Sequence, residues 1–257
     1  MSSLRPAHWG EAEIRGPVHL FRERLVLRRF RELVPGGLVL DAGCGSGSLA
    51  VDLGRAGYEV EAVEQSPEFV ERVAARVRGL GLEARLRVRQ GSVTELPWPE
   101  ATFDGVVCGE VLEHLGPETG GDLAAVRGFH RVLRPAGGCV VSVPLSPRLW
   151  DHCDEWAGHM KRYERGELID LFERVGFQVL GTRSWGFPLG RLYHRLVFAP
   201  WVRRTGGQAV AAREGRWDTR AGRHPVAAAL VAGLLRFDEL FGRWPWGRGI
   251  VLWARKV

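Results

Sequence analysis

Leu38-Val39-Leu40-Asp41-Ala42-Gly43-Cys44-Gly45-Ser46-Gly47 is the stretch on which the reading of this 257-residue chain turns. The apolar run Leu38 to Leu40 predicts a buried strand. Asp41 stands at its tip, and Gly43, Gly45 and Gly47 follow before the helix-compatible segment SLAVDLGRA. A strand that breaks into glycines and re-enters as a helix gathers backbone N–H groups and the positive helix end at one point, ready for an anion. Asp41 sets a negative charge beside it. The pair suits a ligand that carries a carboxylate and a cation on one small fragment. The glycines run G-x-G-x-G rather than G-x-G-x-x-G, which ranks a nicotinamide oxidoreductase below other readings.

The next segments repeat the alternation. YEVEAVEQS (58–66) predicts a second strand ending at Glu64, where an open parallel sheet offers a carboxylate to ribose hydroxyls. A helix follows, with Phe69, Val70, Val73, Val77 and Leu80 at helical spacing. RLRVRQ (85–90) and FDGVVC (103–108) read as the third and fourth strands. LRPAGGCVVSVP (133–144) reads as a helix end, a turn and a fifth strand. Strand and helix in alternation call for a parallel sheet covered on both faces.

VLDAGCGSG, the acidic strand end at Glu64, LPWPEATFDGVVCGEVLEHL, LRPAGG and RVGFQV, in this order, resemble the class I S-adenosylmethionine-dependent methyltransferases. The resemblance spans residues 35–187 and the closing strand GIVLWARK at 249–256. It implies a doubly wound, seven-stranded Rossmann-like α/β sheet with the last strand antiparallel. It also implies S-adenosylmethionine as cofactor, with Asp41, Gly43, Cys44, Gly45 and Gly47 at the methionine end and Glu64 at the ribose. Ser92 and Val93 flank the adenine, and Gln65 and Cys108 complete the cofactor set. Many relatives carry Asp where this chain has Ser92, which accepts one hydrogen bond and supplies no charge.

A second constellation lies in GEVLEHL. A helix beginning there puts Glu110, Glu113 and His114 on one face, at the carboxyl ends of the strands where ligands of open α/β sheets bind. Oxygen-rich ligation with one imidazole suits Mg²⁺ or Mn²⁺. DHCDEWAGHMKRYERGELIDLFERVGF (151–177) adds Asp151, His152, Asp154, Glu155 and His159 above the same site. E-x-x-E-H followed by a later His resembles the ubiquinone-type O-methyltransferases and the small-RNA 2′-O-methyltransferases. That resemblance implies Glu110, Glu113, His114 and His159 as ligands of a divalent metal that engages the substrate hydroxyls, with His152 as an alternative to His159. Without a metal, His114 or His159 is the catalytic base. A plain structural role also stands open: His114 as a cap or substrate contact, Arg162 paired with a surface acid, Tyr163 packed.

The domains expected are an N-terminal helical arm (1–34), a cofactor-binding core (35–187), a helical insertion or lid (188–247) and a closing core strand (248–257). VHLFRERLVLRRFRELV is an amphipathic helix, read as a flank over the cofactor end rather than a membrane anchor, and His8 and Trp9 precede it in the arm. The insertion holds a cationic helix, a Gly- and Arg-rich loop and a second helix opened by Pro225 and carrying Asp238 and Glu239 late. Its Arg and Trp content (Trp201, Trp217, Trp244, Trp246) admits a dimer surface or peripheral membrane contact; a lid that sets specificity is the first reading. Net charge is +6 and the pI about 9.7. Lys161 and Lys256 are the only lysines. That bias looks like GC-rich coding rather than a nucleic-acid patch, and an RNA methyltransferase or RNA-binding adaptor ranks low. Cys44, Cys108, Cys139 and Cys153 lack C-x-x-C spacing and read as buried thiols of a reducing compartment. No signal peptide and no membrane span are read, so the expectation is a soluble, cytoplasmic enzyme. It methylates a small molecule: a hydroxyl of a quinol, phenol, polyketide or sugar, with N- or C-methylation as the alternative.

Overall fold

The structure, a computed structural model, describes residues 16–205 and 225–257. His8, Trp9, Trp217 and most of the Gly- and Arg-rich loop lie outside them. Seven strands form one sheet: β1 Leu38–Ala42, β2 Glu59–Glu64, β3 Leu86–Gln90, β4 Phe103–Gly109, β5 Leu133–Pro144, β6 Phe177–Trp185 and β7 Gly249–Lys256. Their order is β3-β2-β1-β4-β5-β7-β6, with β7 antiparallel to β5 and β6 and the other pairs parallel. The strand order reverses between β1 and β4, which opens a crevice at the carboxyl end of β1.

Period-two alternation sorts the central strands into two cores. Leu40, Val106, Val141 and Leu252 face one side, where α4 (Gly121–Val132) and α6 (Arg165–Val175) bury Phe129, Leu168 and Phe172. Val39, Val60, Val107, Val140 and Val251 face the other, against α1 (Pro17–Leu33), α2 (Ser48–Arg55) and α3 (Pro67–Gly79). α1 supplies Phe21, Leu25, Val26 and Phe30 to this second core. It lies close because β4 and β5 carry glycine beneath it. A Cβ on Gly105 would sit 2.7 Å from Phe30 Cζ, and one on Gly138 2.6 Å from Val34 Cγ2.

Three local expectations change. LRPAGG is not a turn before the fifth strand: β5 begins at Leu133, with a register shift against β4 between Phe103 and Gly105. No helix begins at Glu110. The chain leaves β4 with Glu110 at φ 56°, the left-handed region that non-glycine residues rarely adopt, and closes into a short 3₁₀ turn at Leu112–His114. The insertion is broken rather than two plain helices. α7 (Leu189–Tyr193) runs through a π-helical turn at His194–Phe198 into α8 (Ala199–Thr205). α9 (Pro225–Leu234) tightens into a 3₁₀ segment at Leu235–Phe241. α5 (His152–Ala157) is a single short helix between β5 and α6.

Phe30 is fully buried and packs on Gly105 and the Tyr58 ring. Phe30→Ala is expected to cost about 3–5 kcal/mol, the range for emptying a large core site. The check is a denaturation midpoint that falls with an unchanged slope.

Candidate active site

A cavity of about 780 Å³ opens at the carboxyl ends of β1, β2, β4 and β5. Asp41, Gly43, Cys44 and Gly45 form one wall, with Glu64, Gln65 and Val93 beside them. The glycine loop is built tightly: Gly43 sits at φ 76°, and a Cβ there would fall 2.6 Å from Val111 Cγ2. Its amides are mostly engaged inside the protein. Gly43 and Cys44 donate to the Val63 carbonyl, Gly47 to Cys44, and Gly45 donates to Glu64 Oε2 at 2.9 Å. The other Glu64 oxygen accepts from Ser66 N at 2.9 Å. The loop is therefore less an open anion cradle than the sequence suggests, and Glu64 is the acid that locks it.

Charge at this end comes also from α1, which places His19, Arg22 and Glu23 on the cavity. Glu23 accepts from the Ser48 hydroxyl and pairs with His19 Nε2 at 2.9 Å. Burial alone would raise the Glu23 carboxyl, but His19 and Ser48 hold it below the usual range. Asp41 behaves oppositely: burial first, then the nearby Glu23 carboxylate, push it up to about 7. Its Oδ2 is buried without a hydrogen-bond partner.

Across the cavity lie His114 and His159, with Glu113 fully buried behind them. Glu113, His114 and His159 each offer one ligand atom within 4.8 Å of the others. His159 Nε2 stands 4.0 Å from Glu113 Oε1, while its Nδ1 is held 2.8 Å from Asp154 Oδ1. A carboxylate on one ring nitrogen fixes the tautomer and turns the other toward a ligand. His114 Nδ1 lies 3.1 Å from the Gly158 carbonyl, and Met160 N donates to Glu113 O at 2.8 Å, tying the 3₁₀ turn to the loop after α5. Burial, then the Glu110 carboxylate, raise the Glu113 carboxyl well above its ordinary range, and both its oxygens lack hydrogen-bond partners. A buried orphan carboxyl beside two imidazoles is a mixed nitrogen and oxygen donor set, which a borderline divalent cation such as Mn²⁺ fits better than Mg²⁺.

Glu110 is not part of this cluster. The left-handed turn sets it 3.5 Å from Arg22, where it lines the same cavity with Oε1 buried and without a hydrogen-bond partner; the helical face expected with Glu113 and His114 is replaced by the 3₁₀ turn. Three cofactor candidates, Cys108, Ser92 and Gly47, are also off the cavity lining. Cys108 is fully buried among the α4-side core residues, off the cavity wall, because strand alternation turns it away. Ser92 spends its hydroxyl on Thr94, 2.8 Å from Oγ1 and 3.2 Å from N, and only its neighbours Gly91 and Val93 line the cavity. Gly47 caps α2 at φ 74° behind the wall. His152 bonds the Ala199 carbonyl at 3.0 Å and does not replace His159. Arg162 pairs with buried Asp154 rather than a surface acid. Tyr163 is fully buried and donates to Asp122. All four cysteines are buried and free.

The insertion closes the far end. Trp156, Phe198 and Trp201 line the cavity with ring centroids 5.7–6.1 Å apart. His194 enters from the π-helical turn and meets Asp151 Oδ2 at 2.7 Å, an Asp–His pair with Arg248 nearby. Asp151 and Trp201 are visible as candidates in the sequence, but their pairings are not, because Trp156–Phe198, Asp151–His194 and Trp156–Trp201 join residues 42, 43 and 45 positions apart.

A family model described as "Methyltransferase domain" matches residues 40–141. A protein of Mycolicibacterium smegmatis named "Probable S-adenosylmethionine-dependent methyltransferase" is 31% identical over 207 residues, 77% of this chain and 73% of that one. The chain belongs to the S-adenosylmethionine-dependent methyltransferases. The ubiquinone biosynthesis O-methyltransferase of Xanthomonas oryzae pv. oryzae is 38% identical over 103 residues, 40% of this chain and 41% of that enzyme's length. Among solved structures, the 4+2 cyclase SpnF superposes with a TM-score of 0.66 at 23% identity, covering 99% of this methyltransferase and 87% of the cyclase. The shared fold thus carries more than one reaction, and the site has to argue the chemistry.

A carboxyl raised in the folded state keeps its proton where the unfolded chain has lost it, so stability falls as pH rises between the two values. For Asp41 the window runs from about 3.8 to about 7. The ligand-free protein is expected to lose on the order of 4 kcal/mol across it, at about 1.4 kcal/mol per pH unit. Asp41→Asn removes this contribution; equal slopes of stability against pH in the two proteins would contradict it.

Proposed function

We propose that this methyltransferase acts on a hydroxyl of a small, apolar or aromatic molecule such as a quinol or phenol, with a divalent cation held by Glu113, His114 and His159. The observation that carries the reading is His159. Its Nδ1 is fixed by Asp154 while Nε2 points toward the buried Glu113 carboxyl, on the cavity that Asp41 and Glu64 line from the other side. The O-methyltransferase relative adds support.

In this reading S-adenosylmethionine supplies the electrophilic methyl, and Mg²⁺ or Mn²⁺ lowers the pKa of the acceptor hydroxyl. Asp41, buried with an orphan oxygen, meets the cofactor ammonium, which returns that carboxyl to its charged form. Arg22 meets the cofactor carboxylate, since the loop amides are largely engaged. Glu64 meets the ribose. Trp156, Phe198 and Trp201 would receive the acceptor's apolar body and restrict its orientation toward the methyl donor. The leaving thioether needs no acid, so one proton has to be removed; His159 or His114 takes it only where no metal is bound, since as ligands both imidazoles are spent. Methylation of a nitrogen or carbon without metal is the second reading; His194, already oriented by Asp151 and 5.6 Å from the Phe198 ring, is then the base beside the aromatic wall.

Calorimetry with S-adenosylhomocysteine tests the cofactor half: binding is expected both with Mg²⁺ and in chelator, and its absence in both would overturn the site assignment. Methyl transfer to a quinol and phenol panel tests the metal half. Chelation and Glu113→Gln are each expected to lower transfer by roughly 100-fold, about 3 kcal/mol of lost activation, with cofactor binding kept. Full transfer in chelator would sink the metal.

A further inference from the structure

The outer face of the insertion is unlike the rest of the surface. Phe187, Phe237, Phe241, Trp244 and Trp246 form one chain of ring contacts with centroids 4.9–5.8 Å apart. Phe237, Trp244 and Trp246 are 47–50% exposed, and Leu240 beside them is 74% exposed. Such a contiguous apolar patch is costly in water and marks a contact surface.

The exposed charges that the insertion itself carries have one sign. Among the described residues of 186–248, every exposed charged side chain is an arginine: Arg195, Arg203, Arg204, Arg236 and Arg243. The two acids among these described residues are withdrawn. Asp238 is buried and accepts from the Leu189 and Gly190 amides at 2.8 Å, and Glu239 pairs with Arg28 at 2.6 Å. Arg191 stacks over Phe187, 5.4 Å from the ring centroid. No described helix is long and apolar enough to cross a membrane, so contact here is at a surface.

Tryptophan, phenylalanine and leucine ringed by arginine is the composition that seats at an anionic lipid interface: rings at the headgroup boundary, guanidinium groups on phosphates. We propose that this face docks on an anionic bilayer. Asp238 bonds the docking segment to α7, whose Gly190 and Tyr193 line the cavity, so the docked face adjoins the acceptor end. Delivery of an apolar acceptor from the lipid phase is a consequence that rests on the proposed function; docking itself does not.

Sedimentation with vesicles tests it without cofactor or substrate. The protein is expected to pellet with equimolar phosphatidylglycerol–phosphatidylcholine vesicles and to stay in solution with pure phosphatidylcholine or in high salt. Phe237→Ser with Trp244→Ser should weaken binding at least tenfold. Arg236→Glu and Arg243→Glu should each weaken it about fivefold or more, the loss expected for one cation near an anionic surface. Leu240→Ser, at a more exposed position, guards against loss through misfolding, and S-adenosylhomocysteine affinity should be unchanged in all. Failure to bind anionic vesicles at millimolar lipid would overturn the proposal. So would a dimer in sedimentation equilibrium that Trp244→Ser dissolves, which would make the occupant a second copy of this chain.

Discussion

The site depends on the carboxylate of Asp154. Buried at the start of α5, it accepts from His159 Nδ1, from Arg162 Nε at 2.7 Å and from the Asp151 amide at 2.9 Å. Burial alone would raise its pKa, but the hydrogen bonds from His159 and Arg162 outweigh that and hold it in the charged form. Arg162 then donates to the Leu145 and Arg248 carbonyls, at the ends of β5 and β7. One carboxylate thus aims an imidazole, caps a helix and fastens both to the sheet. Removing one partner of such a buried group costs more than any surface pair, because the others are left uncompensated.

The rest of the cavity is the reverse case. Asp41 Oδ2 and both Glu113 oxygens are buried with no hydrogen-bond partner, and both carboxyls are raised chiefly by burial. A protein that keeps orphan carboxyls at two ends of one cavity gives up stability there, and each is relieved by a positive charge. A cofactor ammonium on one and a divalent cation on the other would complete two half-built ion pairs. Cofactor binding, metal binding and stability are then linked through the same groups. α1 adjusts this balance: Glu23 adds negative charge near Asp41, while Arg22 pairs with Glu110, whose carboxylate raises Glu113.

What the sequence discloses is local. The β1–glycine–α2 unit, the acid at the end of β2 and the strand–helix alternation are each written within ten or twenty residues, where periodicity and turn chemistry act. Glu110 shows the limit. Helical spacing puts it with Glu113 and His114, but a left-handed residue at the strand end and an arginine 88 positions away redirect it. Cys108 and Ser92 show a related limit: family position says they stand near the cofactor, while strand alternation and a hydroxyl turned to Thr94 decide which way their side chains face. His194, Arg248 and the Trp156–Phe198–Trp201 wall come together only when the insertion folds back over β5 and α5, an event that no local pattern encodes.

The most direct measurement is a crystal structure with S-adenosylhomocysteine and Mn²⁺, read by anomalous scattering. The amino group is expected at Asp41, the ribose at Glu64 and an anomalous peak bounded by Glu113, His114 and His159, with Glu110 still on Arg22. Homocysteine away from Asp41, or manganese density absent from that cluster at saturating metal, would contradict it.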